Sequence, residues 1–269
     1  MKRSVFWEEL TTADFAGGSD REWIAVLPVA AIEQHGPHLP LFTDAAIAQG
    51  LIRRVAGMLP PELPAVFLPV QPIGKSNEHA DFAGTLTLSW ETAVKSWIEI
   101  GESVFRAGIR KLVIVTSHGG NIPVIDIVAR ELRISHRMLV LATSWSRLGF
   151  PPGLLSVEEM SCGIHAGDEE TSMMLALRPD LVRMAVAQNF ISAQQSFERE
   201  FARLRGHGPV QFGWKMGDLN EQGAAGNAAA ATAEKGWALI DHRAAGFIDV
   251  LRDTMNFNPG WLRSEPFHE

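Results

Sequence analysis

Four short apolar runs recur in the first half of the chain, separated by longer stretches where apolar residues return every three or four positions. The runs are residues 24–32 (IAVLPVAAI), 65–70 (AVFLPV), 111–117 (KLVIVTS) and 138–144 (MLVLATS). Most are apolar on successive residues, a pattern that predicts strands buried on both faces. Helical periodicity predicts helices over Asp44–Leu59, Leu88–Arg106 and Asn121–Ser135, then Asp168–Leu177, stopped near Pro179. A last helix is expected over Asn227–Thr254, opening on the alanine-rich NAAAATAEKGWALI. Alternation of strand and helix predicts an α/β fold with a mostly parallel sheet. Residues 190–226, rich in glycine and polar residues, read as a flap or subunit-contact segment. With no internal repeat and no clear linker, residues 1–269 are expected to form a single domain.

Composition narrows the function classes. A net charge of −7 provides no basic field for nucleic acid or an anionic membrane. No apolar run reaches the roughly 18–20 residues needed to span a bilayer. The N-terminus meets acidic residues at once, without the apolar core of a signal peptide. The one cysteine, Cys162, has no partner for an internal disulfide. The expected location is cytoplasmic.

In open α/β sheets, ligands bind at the carboxyl ends of the strands, and three polar clusters fall there. The first is AAIEQHGPHLPLFTDAA, residues 30–46. If the chain stays extended past the first strand, Glu33 and His35 project from one face. Asp44 opens a helix, where capping the backbone N–H groups is the simpler alternative. His38, between two prolines, reads as a loop residue. The second cluster, VIVTSHGGN (113–121), ends a buried strand at Ser117–His118 and leads through Gly119, Gly120 and Asn121 into a helix. An esterase oxyanion element is excluded because the chain has no Gly-x-Ser-x-Gly nucleophile elbow. A phosphate cradle lacks both glycine-rich fingerprints. A metal-ligating His118 beside backbone donors is left.

The third cluster is GIHAGDEETSMMLAL, residues 163–177. Acids in a first helical turn often only complement the helix dipole. Glu170, however, shares a stripe with Met173, Met174 and Leu177, so it faces inward and needs a partner, for which a cation is suited. His165 lies close enough in sequence to serve the same substrate. Glu33, His35, Asp44, His118 and Glu170 thus make a mixed oxygen and imidazole set for Zn, Mn or Fe. Five ligands with a central aspartate suggest two ions sharing one carboxylate, an arrangement that supports hydrolysis.

The stretches LPVAAIEQHGPHLPLFTD, SHGGN, HAGDEETSMMLAL and NAAAATAEKG resemble the creatininase (creatinine amidohydrolase) family, with the weakest similarity over 185–215. The resemblance implies a three-layer α/β/α sandwich, a homo-oligomer (a hexamer) and two divalent metal ions, zinc first and manganese or iron as alternatives. It implies hydrolysis of cyclic amides or related C–N bonds; the family also includes a deformylase and a peptidase. It places Glu33, Asp44 and His118 on one ion and His35, Asp44 and Glu170 on the other, with His165 as general acid or base. It places Glu78 and His79, in GKSNEHADFAGTLTLS (74–89), in the substrate pocket and matches Trp145 to a flap residue. Gly119, Gly120 and Asn121, in the turn after His118, are also expected at the substrate, the two glycines as backbone donors to an oxyanion. A polar surface loop is the alternative for Glu78 and His79. Two positions depart from creatininase itself: Gly120 stands where it has a glutamate, and Ser161 where it has a flap tryptophan. The expected substrate is therefore a small amide other than creatinine. A peptidase of the family, a non-catalytic metal or small-molecule binder and a bare scaffold are the rival readings.

Overall fold

The computed structural model describes residues 4–16 and 21–263. Its central sheet has four parallel strands in the order β2-β1-β3-β4: β1 (Arg21–Val29), β2 (Ala65–Phe67), β3 (Ile109–Thr116) and β4 (Leu139–Ser144). The register pairs Val26 with both Phe67 and Val113, and Val113 with Leu141. Helices α1 (Thr43–Met58), α2 (Trp90–Arg106) and α3 (Ile122–His136) connect the strands. Then come α4 (Val157–Cys162) and α5 (Asp168–Leu177), β5 (Asn189–Phe190), α6 (Gln194–Glu200), α7 (Met216–Leu219), β6 (Gly226–Asn227) and α8 (Ala233–Asn256).

Successive strand residues point to opposite faces, which is why the runs are apolar throughout. Ile24, Val26, Val113 and Val115 face a layer of α1, α5 and α8, meeting Leu51, Val55, Leu239 and Phe247. Ala25, Leu27, Leu112 and Ile114 face α2 and α3, meeting Trp97, Val104, Val128 and Leu132. The sheet is thus the middle of three layers. Each fully buried aliphatic side chain contributes about 1.5–3 kcal/mol relative to exposure.

Boundaries follow local chemistry. Helix α2 starts after Ser89, whose hydroxyl accepts the Thr92 N–H at 3.2 Å. Helix α3 starts at Ile122 with Pro123 in its first turn and stops where Arg137 takes a left-handed conformation. The last helix begins at Ala233, six residues later than its composition predicts. Gly226–Asn227 pairs antiparallel with Asn189–Phe190, and Thr232 then caps α8 by accepting the Lys235 N–H at 3.2 Å. Pairing and capping override alanine's helix propensity there. Within 190–226 the chain forms α6, α7 and the start of β6, while α4 carries no long periodic signal in the sequence. Among the described residues, no helix is long and apolar enough to cross a membrane.

Candidate active site

The carboxyl ends of β1 and β3 open into one cluster of side chains. Glu33 and His35 follow β1, and the His35 Nδ1–H donates to the Glu33 carbonyl at 3.0 Å. Asp44 lies in the first turn of α1, but its side chain turns inward and is buried, so it is not a helix cap. His118 follows β3 and brings Nδ1 to 3.1 Å from Glu33 Oε1 and 3.8 Å from Asp44 Oδ2. Its Nε2–H faces the Lys75 carbonyl at 3.0 Å. Glu170, in the first turn of α5, accepts the Ala166 N–H at 2.6 Å and lies 3.8 Å from His35 Nε2. His165 Nδ1 lies 3.8 Å from Glu33 Oε1. An antiparallel bridge to Ala225 holds this histidine, its N–H and C=O bonded to Ala225 at 3.1 and 2.8 Å. The five proposed ligands and His165 therefore converge from separate parts of the chain.

The substrate-site expectations divide. Glu78 and His79 enter the cluster: Glu78 Oε1 is 3.3 Å from His118 Nε2, and His79 Nε2 is 3.4 Å from Glu33 Oε1. Gly119 and Gly120 form the turn after His118. Gly120 is required by close approach, because a Cβ there would sit 2.2 Å from Glu78 Oε1 and 2.4 Å from His118 Nε2. Asn121 is corrected. Its amide accepts the Lys75 N–H at 2.9 Å and donates to the Ala30 carbonyl at 3.0 Å and to Thr116 Oγ1 at 3.2 Å, so it ties the 74–89 loop to the sheet instead of facing substrate. Trp145 is corrected too: its indole is buried against Phe247, ring centroids 4.7 Å apart, in the core and not in a flap. His38 is a buried structural residue, with Nε2 3.0 Å from Thr171 Oγ1 and its ring stacked on Phe190. Sequence reasoning missed Gln34, whose amide nitrogen lies 2.7 Å from His79 Nδ1.

Burial sets the electrostatics. It raises the Glu33 carboxyl, but the His118, His79 and His165 imidazoles reverse this and leave it well below its ordinary value. Burial and the Glu33 charge hold Asp44 well above its ordinary value, and burial raises Glu170 as well. Burial and then His165 push His35 down to about 3 and His79 down to about 2. Burial lowers His118, yet the neighbouring carboxylates, Glu33 first and then Glu78 and Asp44, carry it well above its ordinary value. Several acids and imidazoles thus compete for few protons in a buried cluster.

The donor set fits a divalent cation. Glu33 Oε1 and Oε2, His35 Nε2 and Asp44 Oδ2 are buried and have no hydrogen-bond partner. Orphaned polar atoms of this kind cost roughly 1–3 kcal/mol each unless a partner arrives. Among the described residues, donor atoms within 4.8 Å of one another form the sets Glu33–His35–Asp44, His35–His165–Glu170 and Glu33–His79–His165. His35 and His118 each donate one ring hydrogen to a backbone carbonyl, a support that metal-binding imidazoles commonly use.

The family model described as creatinine amidohydrolase matches residues 8–251. A mycofactocin precursor peptide peptidase of Mycobacterium ulcerans (strain Agy99) is 36% identical over 166 residues, 60% of this chain. That match spans 61% of the relative's own length. A creatinine amidohydrolase of Pseudomonas putida is 32% identical over 202 residues, 68% of this chain and 75% of the relative. A crystal structure of creatinine amidohydrolase (creatininase) superposes with a TM-score of 0.75 at 26% identity, covering 96% of this chain and 100% of that one. Creatininases described as a mutant of Zn-Zn type and as a Mn form each give a TM-score of 0.74, covering 95% of this chain and 100% of theirs, at 25% and 26% identity. The chain belongs to the creatininase family, a class of hydrolases with an α/β fold around a parallel sheet.

Proposed function

We propose that the chain is a metal-dependent amidohydrolase that cleaves the C–N bond of a small amide other than creatinine. The reading is carried by the orphaned atoms of Glu33, His35 and Asp44, which face one another beside His165. Glu33, Asp44 and His118 would hold one divalent ion, and His35, Asp44 and Glu170 a second. Zinc is the first candidate, manganese or iron the alternatives. Such ions, when bound, polarise a carbonyl and acidify a water.

The side chains do the rest. His165 Nε2 donates to the Gln34 carbonyl at 2.8 Å, so in the neutral ring Nδ1 carries the lone pair that faces the site. That nitrogen is placed to take a proton from the attacking water and pass it to the departing nitrogen, which is too basic to leave unprotonated. The turn at Gly119–Gly120 offers backbone donors to a developing oxyanion. Glu78 braces His118 from the side opposite Glu33. Gly120, where creatininase has a glutamate, supports a substrate different from creatinine.

The test begins with elemental analysis of the purified protein, followed by turnover of lactams, formamides and short peptides. His118→Ala and Glu170→Ala are expected to lose metal and activity together. Unchanged metal content in both variants would refute the ligand assignment. Bound metal without any turnover would leave a binder, and no bound metal a scaffold.

A second reading, cleavage of a peptide bond, is favoured by the higher identity to the mycobacterial peptidase than to the Pseudomonas putida enzyme. Turnover of short peptides alone would establish it. The proposal includes a homo-oligomer, a hexamer by resemblance, which the solution mass tests.

A further inference from the structure

Four imidazoles meet at the site, and one is wired differently from the others. His35 Nδ1, His118 Nε2 and His165 Nε2 each face a backbone carbonyl, of Glu33, Lys75 and Gln34, at 3.0, 3.0 and 2.8 Å. A carbonyl only accepts, so in the neutral rings those nitrogens carry the hydrogen. The opposite nitrogens then turn lone pairs toward the carboxylates.

His79 is reversed. The Gln34 side-chain oxygen accepts the Gly36 N–H at 3.0 Å, which fixes the amide and leaves its NH2 facing His79 Nδ1 at 2.7 Å. An amide NH2 only donates. His79 Nδ1 is therefore the acceptor, and the ring hydrogen sits on Nε2, 3.4 Å from Glu33 Oε1. Gly223 gives the amide its room: it has φ +77°, and a Cβ there would lie 2.1 Å from Gln34 Oε1. His79 Nε2 and His165 Nδ1 both approach that same Glu33 oxygen, at 3.4 and 3.8 Å, and their rings are 4.4 Å apart. An amide group within reach of one is within reach of the other.

We propose that Gln34 locks His79 as the Nε2–H tautomer, and that His79 donates this hydrogen to the reacting carbonyl oxygen instead of ligating an ion. The geometric set Glu33–His79–His165 is then not a metal site, because His79 offers the cation a hydrogen where a ligand needs a lone pair. Gln34 is a positioning residue, acting on the substrate only through His79. The second half of the proposal rests on the amide-hydrolysis reading; the first half does not.

The test uses the zinc-loaded protein. Nitrogen-15 NMR of the histidine rings should place the His79 hydrogen on Nε2. In Gln34→Glu, a carboxylate that only accepts should draw it to Nδ1. Loss of one such donor lowers kcat by about 10²–10³-fold. That fall is expected in Gln34→Glu and His79→Ala, with KM and zinc stoichiometry near those of the native chain. His79→Gln, which keeps an N–H donor, should recover part of it. A hydrogen found on Nδ1 in the native chain overturns the proposal. So does zinc loss in His79→Ala equal to that in His35→Ala, or unchanged kcat in both His79→Ala and Gln34→Glu. Absence of turnover with every amide, while the hydrogen is found on Nε2, overturns the hydrolase reading and the substrate contact, and leaves the tautomer standing.

Discussion

Glu33, His35 and His118 leave the ends of β1 and β3, whereas His165 and Glu170 belong to a loop and to the first turn of α5. The first group inherits its position from parallel strand pairing, with Val26 opposite Val113 and Val29 opposite Thr116. The second group is fastened by polar clasps. Buried Glu159 of α4 accepts the Asp168 N–H at 2.7 Å and the Asn227 N–H at 2.8 Å, so one carboxylate ties the start of α5 to β6. Arg243 of α8, buried, lies 2.7 Å from Glu169 Oε1 in an ion pair not aligned as a hydrogen bond, and Lys235 pairs with Asp168. One half of the site is therefore as rigid as the sheet. The other is as rigid as a few charged contacts, and a substitution should report which half it touches.

The largest effect is expected from Arg243→Met. Arg243 is buried and Glu169 partly so, so removing the arginine should approach the about 3–5 kcal/mol cost of breaking a buried pair, and chemical denaturation should show it. Zinc affinity should fall with it, because Glu170 sits next to the released Glu169. A loss of stability with zinc affinity unchanged would break the comparison. Leu132→Ala, on the α3 face of the sheet, should cost about 2–5 kcal/mol by cavity formation. Here zinc affinity should stay the same, since the strand ends keep their register.

Proton linkage comes next. Asp44, Glu170 and His118 have pKa values above their ordinary ones, so the metal-free site holds protons that a cation must displace. Zinc binding should release protons and tighten as pH rises, about tenfold, or 1.4 kcal/mol, per pH unit for each proton displaced. Calorimetry in buffers of different ionisation enthalpy measures that release. The apo protein should show the opposite slope from these three groups. A raised folded-state pKa contributes stability below the unfolded pKa and loses it as pH rises through the folded value. The smallest effect, about 1 kcal/mol, is expected for Thr232→Ala, which removes the cap of α8 at a distance from the ligands.

The sheet was legible because strands covered on both faces are written as unbroken apolar runs. His118 was legible because a polar residue at such a strand end has few reasons to be there, whereas Asp44, at a helix start, was legible only as one of two readings, a cap or an inward carboxylate. Glu170 was legible from its phase with Met173 and Met174, both buried in the core. Gln34 was not. A period-two reading sends it away from Glu33 and His35, but β1 ends at Val29, Ile32 bridges to Leu86, and the altered path brings the amide to His79. Asn121 and Trp145 show the reverse error: polar and aromatic types that suit a substrate were used for loop attachment and for core packing. The start of α8 was misplaced because no local rule reports that Gly226–Asn227 has a strand partner at Asn189–Phe190.

The proposed ligands run from Glu33 to Glu170, so the site closes only when β1, β3, α1 and α5 have all docked. Contacts this distant in sequence form late, after the entropy of closing long loops has been met. An ion offered to a half-folded chain finds single imidazoles and carboxylates, not a cage. Capture of the proposed cation would thus certify completed folding and not seed it, and a chelator should strip the finished protein well before it slows the chain's first collapse.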